Sequence, residues 1–190
     1  MGLAPRGIIG ITGSPGTGKK TIAPLVASSL GLPCLGVNDF ARSRGLIKGK
    51  GEAEIDTQAL RKELARHLVS PSVVYGHLLP YTVSRRMISK AVVLRCEPSV
   101  LKERLGRRRY PSYKLLENVE AELIGTISAE TRRAFGNAKT LEFDTTRSTP
   151  QGAAAGVLAA LAARGRRAMT IDWLPGYDSG AKLMSLLSSG

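Results

Sequence analysis

The stretch IIGIT at residues 8–12 runs directly into GSPGTGKKT at residues 13–21. The first part predicts a buried strand, and the second predicts a glycine-rich loop whose backbone N–H groups surround an anion. Gly13, Gly18 and Lys19 satisfy the G-x-x-x-x-G-K spacing of a phosphate-binding loop, in which the lysine adds a positive charge. The sequence therefore predicts that this chain holds the phosphates of a nucleotide.

One position of this loop departs from the usual motif. Ser or Thr normally follows the lysine and ligates Mg²⁺, but here Lys20 stands in that place and Thr21 comes one residue later. Lys20 could substitute for part of the metal's charge or could repel the metal, and both interpretations stay open. Thr21 is the candidate metal ligand of the loop.

Length and composition predict one folded domain over residues 1–190, because 43% of the residues are hydrophobic. We expect this domain to be intracellular. No apolar run approaches the roughly 20 residues that span a bilayer, so we expect a cytoplasmic protein without a membrane partner. Cys34 and Cys96 lack metal-type spacing and are predicted to be small buried residues.

The charge balance is strongly basic, with 28 Lys and Arg against 15 Asp and Glu, which gives a net charge of +13. Such an excess suits a polyanionic partner, with RNA as the first candidate. The alternative is a solvated arginine-rich surface in a protein from a heat-adapted or GC-rich source. The composition does not decide between them.

Strand-like runs alternate with helical patterns, which predicts an α/β fold with a parallel sheet and helices on both faces. The predicted strands are at about residues 7–12, 33–37, 72–75, 91–95 and 140–143. Helices are predicted at 19–30 and 150–163. Another should begin after a cap at Asp56, with an apolar stripe formed by Leu60, Leu64 and Leu68.

Ligands of open α/β sheets bind at the carboxyl ends of the strands. This rule singles out Asn38-Asp39, Gly76-His77, Cys96-Glu97 and Asp144-Thr145-Thr146. His77 is either a structural hydrogen-bonding residue or a catalytic one. Tyr75 stands where P-loop enzymes normally carry an acidic residue near the metal. Asp39 and Asp144 are therefore the remaining carboxylates that could hold Mg²⁺.

A nucleotide kinase also needs a second phosphate site and a movable cover that excludes water. The arginines between residues 104 and 109 predict such a cover, because a guanidinium can grip two phosphate oxygens; the alternative is a basic helix face in water. The polar segment at 38–56 could enclose a second nucleotide, with Arg42 or Arg44 on its phosphate, or could be a loop without a ligand.

Several short motifs follow one another in a fixed order. They are GSPGTGK at 13–19, NDFA at 38–41, YGH at 75–77, RRY at 108–110, ENVEAE at 117–122, DTT at 144–146 and DWL at 172–174. Together they resemble the small atypical adenylate kinases, the nuclear isoenzyme 6 type and its archaeal counterparts. The resemblance runs from about Ile8 to Leu174, and its most specific part is the segment 108–122.

The resemblance implies a P-loop NTPase with five parallel strands in the order 2-3-1-4-5. It implies an NMP-binding insertion at about 36–56 and a short lid at about 107–117, ahead of a tail at 175–190. The implied activity is reversible phosphoryl transfer from ATP to AMP, giving ADP, with Mg²⁺ and with ATPase activity as well.

The same resemblance implies a role in small ribosomal subunit maturation, with a small-subunit ribosomal protein and rRNA as partners. The alternative is a nucleotide-gated assembly factor with little kinase activity. Its support is the charge of +13 and the missing acid at Tyr75.

The candidate site residues come partly from the resemblance and partly from the ends of the predicted strands. Those assigned to ATP are Gly16, Thr17, Gly18, Lys19, Lys20, Thr21 and Arg108. Lys19, Arg108 and His77 are the candidate catalytic residues. Those assigned to the NMP are Asp39, Arg42, Gly76 and His77. The family usually has an acidic residue at the position of Tyr75, in an Asp-x-His motif.

Overall fold

A five-stranded parallel sheet forms the centre of the computed structural model, which describes residues 7–48, 54–163 and 170–188. Its strands are β1 (Ile8–Thr12), β2 (Cys34–Gly36), β3 (Ser72–Tyr75), β4 (Ile88–Arg95) and β5 (Thr140–Asp144). They lie side by side in the order 2-3-1-4-5, and every neighbouring pair is parallel. The predicted fold class and strand order are therefore confirmed.

Helices cover both faces of the sheet. They are α1 (Lys19–Leu30), α2 (Val37–Ser43), α3 (Thr57–His67), α4 (Leu79–Thr82), α5 (Pro98–Gly106), α6 (Ser112–Leu123), α7 (Thr126–Phe135), α8 (Pro150–Ala162) and α9 (Gly180–Leu187). Alternate residues of β1 point to opposite faces: Ile9 and Ile11 pack against α1 and α8, whereas Ile8 packs on the side of α2, α3, α4 and α7. No helix among the described residues is long and apolar enough to cross a membrane.

Local sequence signals explain where two of these elements begin. The Asp56 carboxylate accepts hydrogen bonds from the backbone N–H groups of Gln58 (3.0 Å) and Ala59 (2.9 Å), so the predicted cap of α3 is confirmed. Strand β2 is shorter than predicted because α2 begins at Val37. The prediction for Cys34 is wrong: it is exposed because β2 is an edge strand, whereas Cys96 is buried as predicted.

Two small additions project from this core. Helix α2 leads into an antiparallel pair of short strands, Ile47–Lys48 and Glu54–Ile55, and the tip between them, residues 49–53, lies outside the described residues. A turn at residues 107–111 connects α5 to α6, and within it Arg109 adopts a left-handed backbone with φ 55°. The first addition lies within the predicted NMP-binding insertion at 36–56. The turn is only the first part of the predicted lid at 107–117, because residues 112–117 form the start of α6. The roles of both stay predictions.

A buried ionic network joins the last residue of β4 and the middle of β5 to α6. The Arg95 side chain is 2% exposed, and its Nε lies 2.7 Å from Glu122 Oε1. Its Nη1 lies 2.9 Å from Glu142 Oε2 and donates to the carbonyl of Ile171 at 3.0 Å. Arg132 Nη2 reaches the other oxygen of Glu142 at 2.6 Å. The network therefore also holds the segment that follows residue 170 against the core.

Glu142 keeps its charge inside this network. Burial by itself would raise the pKa of the Glu142 carboxyl, but hydrogen bonds from Ser128, Arg132 and the Ile171 N–H, together with the Arg95 charge, lower the pKa overall. The side chain is 0% exposed. A carboxylate this well compensated contributes to stability only while it is ionised.

Glu142→Gln should therefore destabilise the protein in a pH-dependent way. At neutral pH we expect the free energy of unfolding to fall by about 3 kcal/mol, because the buried arginines lose their counter-charge. The folded-state pKa lies below the ordinary value of 4.5, so this contribution is complete above that value and is lost as the pH falls through the folded-state pKa. Urea unfolding of both proteins at neutral pH and at about pH 3 measures the difference.

The matched control is Glu103→Gln, which removes an exposed carboxylate paired with Arg107 at 3.5 Å and should change stability little. A difference between wild type and Glu142→Gln that stays constant across this pH range would contradict the assignment.

Candidate active site

The loop between β1 and α1 takes a conformation that only its glycines permit. Gly13, Gly16 and Gly18 have φ of 140°, 91° and 98°, in the region that L side chains rarely adopt. A Cβ at position 13 would also lie 2.3 Å from the Leu94 carbonyl oxygen. Gly18 is the N-cap of α1, so the loop ends on the positive end of the helix dipole. This is the geometry of an anion cradle.

Lys19 folds back over this loop. Its Nζ donates to the carbonyl of Gly13 at 2.6 Å and to the carbonyl of Ser14 at 2.8 Å. The Ser14 carbonyl also accepts from Thr17 Oγ1 at 2.8 Å, and the Thr17 side chain is fully buried. Of the residues assigned to ATP, Lys19 therefore offers its side chain at the loop, whereas the Thr17 hydroxyl and N–H both donate to the Ser14 carbonyl and hold the loop together.

Three candidate catalytic residues act on one another electrostatically. Burial lowers the pKa of Lys19 to about 7, while the Glu122 charge raises it and the Arg108 charge lowers it. Burial and then the charge of Lys19 lower the pKa of His77, so its imidazole is neutral at neutral pH. Lys19 and His77 follow the carboxyl ends of the neighbouring parallel strands β1 and β3, and the charge of Arg108 acts on Lys19. A phosphate bound there would restore the full charge of Lys19.

The arginine cluster does not act as one group. Arg104 donates to the carbonyls of Thr145 and Thr146, both at 2.9 Å, and so anchors the loop after β5. Arg107 pairs with Glu103 along the helix. Arg108 is exposed and is the arginine whose charge is felt at Lys19. Of the arginines predicted to form a cover, Arg108 is therefore the one that stays a candidate.

A second group of side chains surrounds Asp39 on α2. Its Oδ1 lies 3.2 Å from Lys20 Nζ and 3.6 Å from Arg42 Nη1, and its Oδ2 accepts from Tyr75 Oη at 3.3 Å. Burial and then the Asp39 charge raise the pKa of Tyr75, so its hydroxyl stays protonated and donates. Asp39 and Arg42, assigned to the NMP, are thus next to each other and next to Lys20.

Glycines allow the close approach of β2 and β3 at this second group. A Cβ at Gly36 would lie 2.7 Å from the Tyr75 ring, and one at Gly76 would lie 2.9 Å from Val37 Cβ. The Gly76 N–H donates to the Ile11 carbonyl at 3.1 Å and continues the sheet towards His77. The role of Gly76 in this arrangement is to provide space.

The side chains present do not fit a protein-held Mg²⁺. Asp39 is already occupied by two cationic side chains and the Tyr75 hydroxyl, and Asp144 Oδ1 accepts from the Thr146 N–H at 2.8 Å. Thr21 is exposed and offers one hydroxyl. Within the described ranges no group of three or more His, Cys, Asp or Glu side chains could hold a metal. No step below depends on a metal held by the chain.

Sequence reasoning missed the buried acid behind the loop. Glu122 Oε2 accepts from Ser14 Oγ at 2.6 Å, and its side chain is 2% exposed. The signal was its position: Glu122 lies on the face of α6 that also buries Val119 and Leu123. A charged residue on an apolar stripe indicates an internal partner, but the partner itself cannot be read from the sequence.

Comparison with known proteins agrees with this geometry. Residues 9–125 match the family model described as "AAA domain". The "Putative adenylate kinase" of Thermococcus kodakarensis is 39% identical over 175 residues, which cover 90% of this chain and 95% of that protein. The protein of the same name from Pyrococcus abyssi is 37% identical over 177 residues, covering 90% and 93%.

Solved structures show the same fold at low identity. Shikimate kinase from Bacteroides thetaiotaomicron aligns with a TM-score of 0.58 at 20% identity, over 81% of this chain and 97% of that one. Shikimate kinase from Acinetobacter baumannii aligns with a TM-score of 0.56 at 15% identity, over 84% and 94%. At this identity the likeness concerns the fold alone.

Arg108→Ala should weaken ATP binding by about 10-fold or more, because charge-assisted hydrogen bonds to a phosphate are lost. Arg107→Ala, one residue earlier in the same turn, removes an arginine that pairs with Glu103 and should leave the affinity nearly unchanged. Isothermal titration with ATP measures both. Equal losses in the two variants would mean that the turn contributes only diffuse positive charge.

Proposed function

The chain belongs to the adenylate-kinase-like family of the AAA-domain proteins, and on that basis we propose that it is a nucleoside-monophosphate kinase. The proposed reaction moves the γ-phosphoryl group of ATP to AMP and gives two molecules of ADP. The observation that carries this proposal is the position of Lys19. Its ammonium lies across a glycine-rich anion cradle and within the electrostatic reach of Arg108.

Catalysis in this proposal is positioning and charge neutralisation. The backbone N–H groups at Gly16 and Gly18, with the start of α1 at Lys20 and Thr21, would hold the ATP phosphates. Lys19 would leave its two carbonyl acceptors for phosphate oxygens, and Arg108 would approach from the turn at 107–111 to cover them. Transfer breaks the bond between the β-phosphate and the γ-phosphoryl group and forms one to an AMP phosphate oxygen.

The acceptor nucleotide is proposed to lie beside α2. Arg42 is 71% exposed and held in place by Asp39, so it can turn to an AMP phosphate without breaking a buried contact. Asn38 has a buried side-chain oxygen without a hydrogen-bond partner among the described residues, which leaves an acceptor open next to this site. Neutral His77, close to Lys19, would lie between the two nucleotides.

We propose the same division of the chain that the sequence predicted. Residues 1–190 form one P-loop domain in which the NMP-binding insertion is 36–56, the lid is 107–117 and the tail is 175–190. The substrate form is expected to be ATP with Mg²⁺ on its phosphates, since Asp39 and Asp144, the two candidate carboxylates, already have hydrogen-bond or ionic partners.

ADP formation with ATP alone and with ATP plus AMP separates the kinase from an ATPase. We expect turnover that depends on AMP, and Lys19→Ala should lower it by about 100-fold or more because the cation at the phosphates is lost. Lys182→Ala, at an exposed position on α9, is the control and should keep wild-type turnover. AMP-independent turnover would favour the ATPase, and unchanged turnover in Lys19→Ala would remove the mechanism.

A second candidate function is suggested by the charge. A net charge of +13 exceeds what a nucleotide requires, and Arg107, Arg108 and Arg109 form an exposed basic turn. This suits a cytoplasmic, nucleotide-gated factor that binds rRNA and a small-subunit ribosomal protein during ribosome assembly. The two functions are compatible, since the nucleotide could gate the binding.

RNA binding of this kind should depend steeply on salt, because Lys and Arg release counterions from the phosphate backbone. We expect the affinity for a single-stranded RNA of mixed sequence to fall by about 10-fold or more between 50 and 200 mM salt. Fluorescence anisotropy at several salt concentrations measures the slope. Absent or salt-independent binding would mean that the basic surface is only solvated.

A further inference from the structure

The Glu122 carboxylate divides its two oxygens between two parts of the protein. Oε2 accepts from Ser14 Oγ of the phosphate-binding loop at 2.6 Å. Oε1 accepts from Arg95 Nε at 2.7 Å, from the Cys96 N–H at 3.1 Å and from Trp173 Nε1 at 3.3 Å. One side chain therefore joins the loop to the end of β4 and to the segment after residue 170.

Ser14 connects Glu122 to Lys19. Its hydroxyl is held by Glu122, and its carbonyl accepts from Lys19 Nζ at 2.8 Å and from Thr17 Oγ1 at 2.8 Å. Ser14 is 1% exposed, so its hydroxyl and carbonyl make these bonds inside the protein. The position of Ser14 therefore determines the position of the loop backbone and of Lys19 Nζ before a ligand binds.

The same acid belongs to the helix that follows the arginine turn. Helix α6 begins at Ser112, four residues after Arg108, and carries Glu122 in its last turn. Fixing Glu122 to Ser14 thus ties the loop to the helix into which the arginine turn leads. A transfer site needs these two cations at a defined distance, because misplacement by about 1 Å costs about 100-fold in rate.

We propose that Glu122 is a positioning residue for phosphoryl transfer, which holds Ser14 and thereby sets Lys19 against Arg108. The inference rests on the proposed kinase function. Glu122 does not touch the substrate in this assignment. It acts through Ser14, and Arg95 and Trp173 keep its carboxylate in place.

Ser14→Ala is the most direct test, because it removes the connection to the loop while Glu122 keeps Arg95, Cys96 and Trp173. We expect kcat to fall by about 10-fold to 100-fold with a smaller change in KM, since the cations are misplaced rather than removed. Ser128→Ala is the matched control: its hydroxyl donates to the buried Glu142 of the same ionic network, away from the loop. It should lose stability to urea as Ser14→Ala does and keep its kcat.

Glu122→Gln completes a double-mutant cycle. An amide can keep its oxygen towards Arg95 but has no second oxygen to accept from Ser14 Oγ, so the protein should fold while the charge-assisted bond to the loop is lost. If Glu122 acts through Ser14, the double variant should lose no more kcat than the worse single variant. Additive losses in kcat, or a Ser14→Ala variant with the kcat of Ser128→Ala, would overturn the proposal.

The failure of this inference can be told apart from the failure of the proposed function. If the wild-type protein shows no AMP-dependent transfer, the kinase proposal fails, and the loop geometry is then tested by ATP affinity alone. Ser14→Ala should then weaken ATP binding by about 3-fold relative to Ser128→Ala, a smaller effect than the one expected on kcat, because the cradle is displaced rather than removed. Equal affinities would reject the positioning role of Glu122 as well.

Discussion

The Arg95 guanidinium, buried between Glu122 and Glu142, is the interaction on which the rest of the structure depends. Three charges out of water are costly unless each is paired and hydrogen-bonded, and here the distances of 2.7 and 2.9 Å and the further donors meet that requirement. Because the partners come from β4, β5, α6 and the segment after residue 170, one cluster fixes how these parts meet. None of these three side chains can move alone without leaving a buried charge unpaired.

The phosphate-binding loop is attached to this cluster through Ser14. A glycine-rich loop is intrinsically mobile, and an anion cradle is effective only when its dipoles are already in place before the ligand arrives. The bond from Ser14 to Glu122 attaches the loop to the buried ionic network from inside the protein. The arginine turn at 107–111 leads into the same helix, α6.

The cation distribution around the loop also differs from that of a metal-centred site. Where a hydroxyl ligand usually follows the loop lysine, this chain has the Lys20 ammonium, and where an acid usually ends the third strand, it has Tyr75. The two changes are consistent with each other, because Lys20 and Tyr75 both bind Asp39. A carboxylate that would otherwise attract a divalent ion is neutralised by side chains, and the positive charge stays on the protein.

The sequence by itself determined the alternation of strands and helices, the loop and the start of α3, because glycine spacing, apolar runs and an Asp cap act over a few residues. The strand order came only from the family resemblance and was confirmed by the structure. It also nominated Lys19, Arg108, Asp39 and His77. Only the tertiary structure decided which arginine faces the loop, that Asp39 is shared by Lys20 and Tyr75, and that Ser14 meets Glu122. These pairs lie up to 108 residues apart in the sequence. A charged residue on an apolar face indicates that a partner exists, but the sequence does not identify that partner.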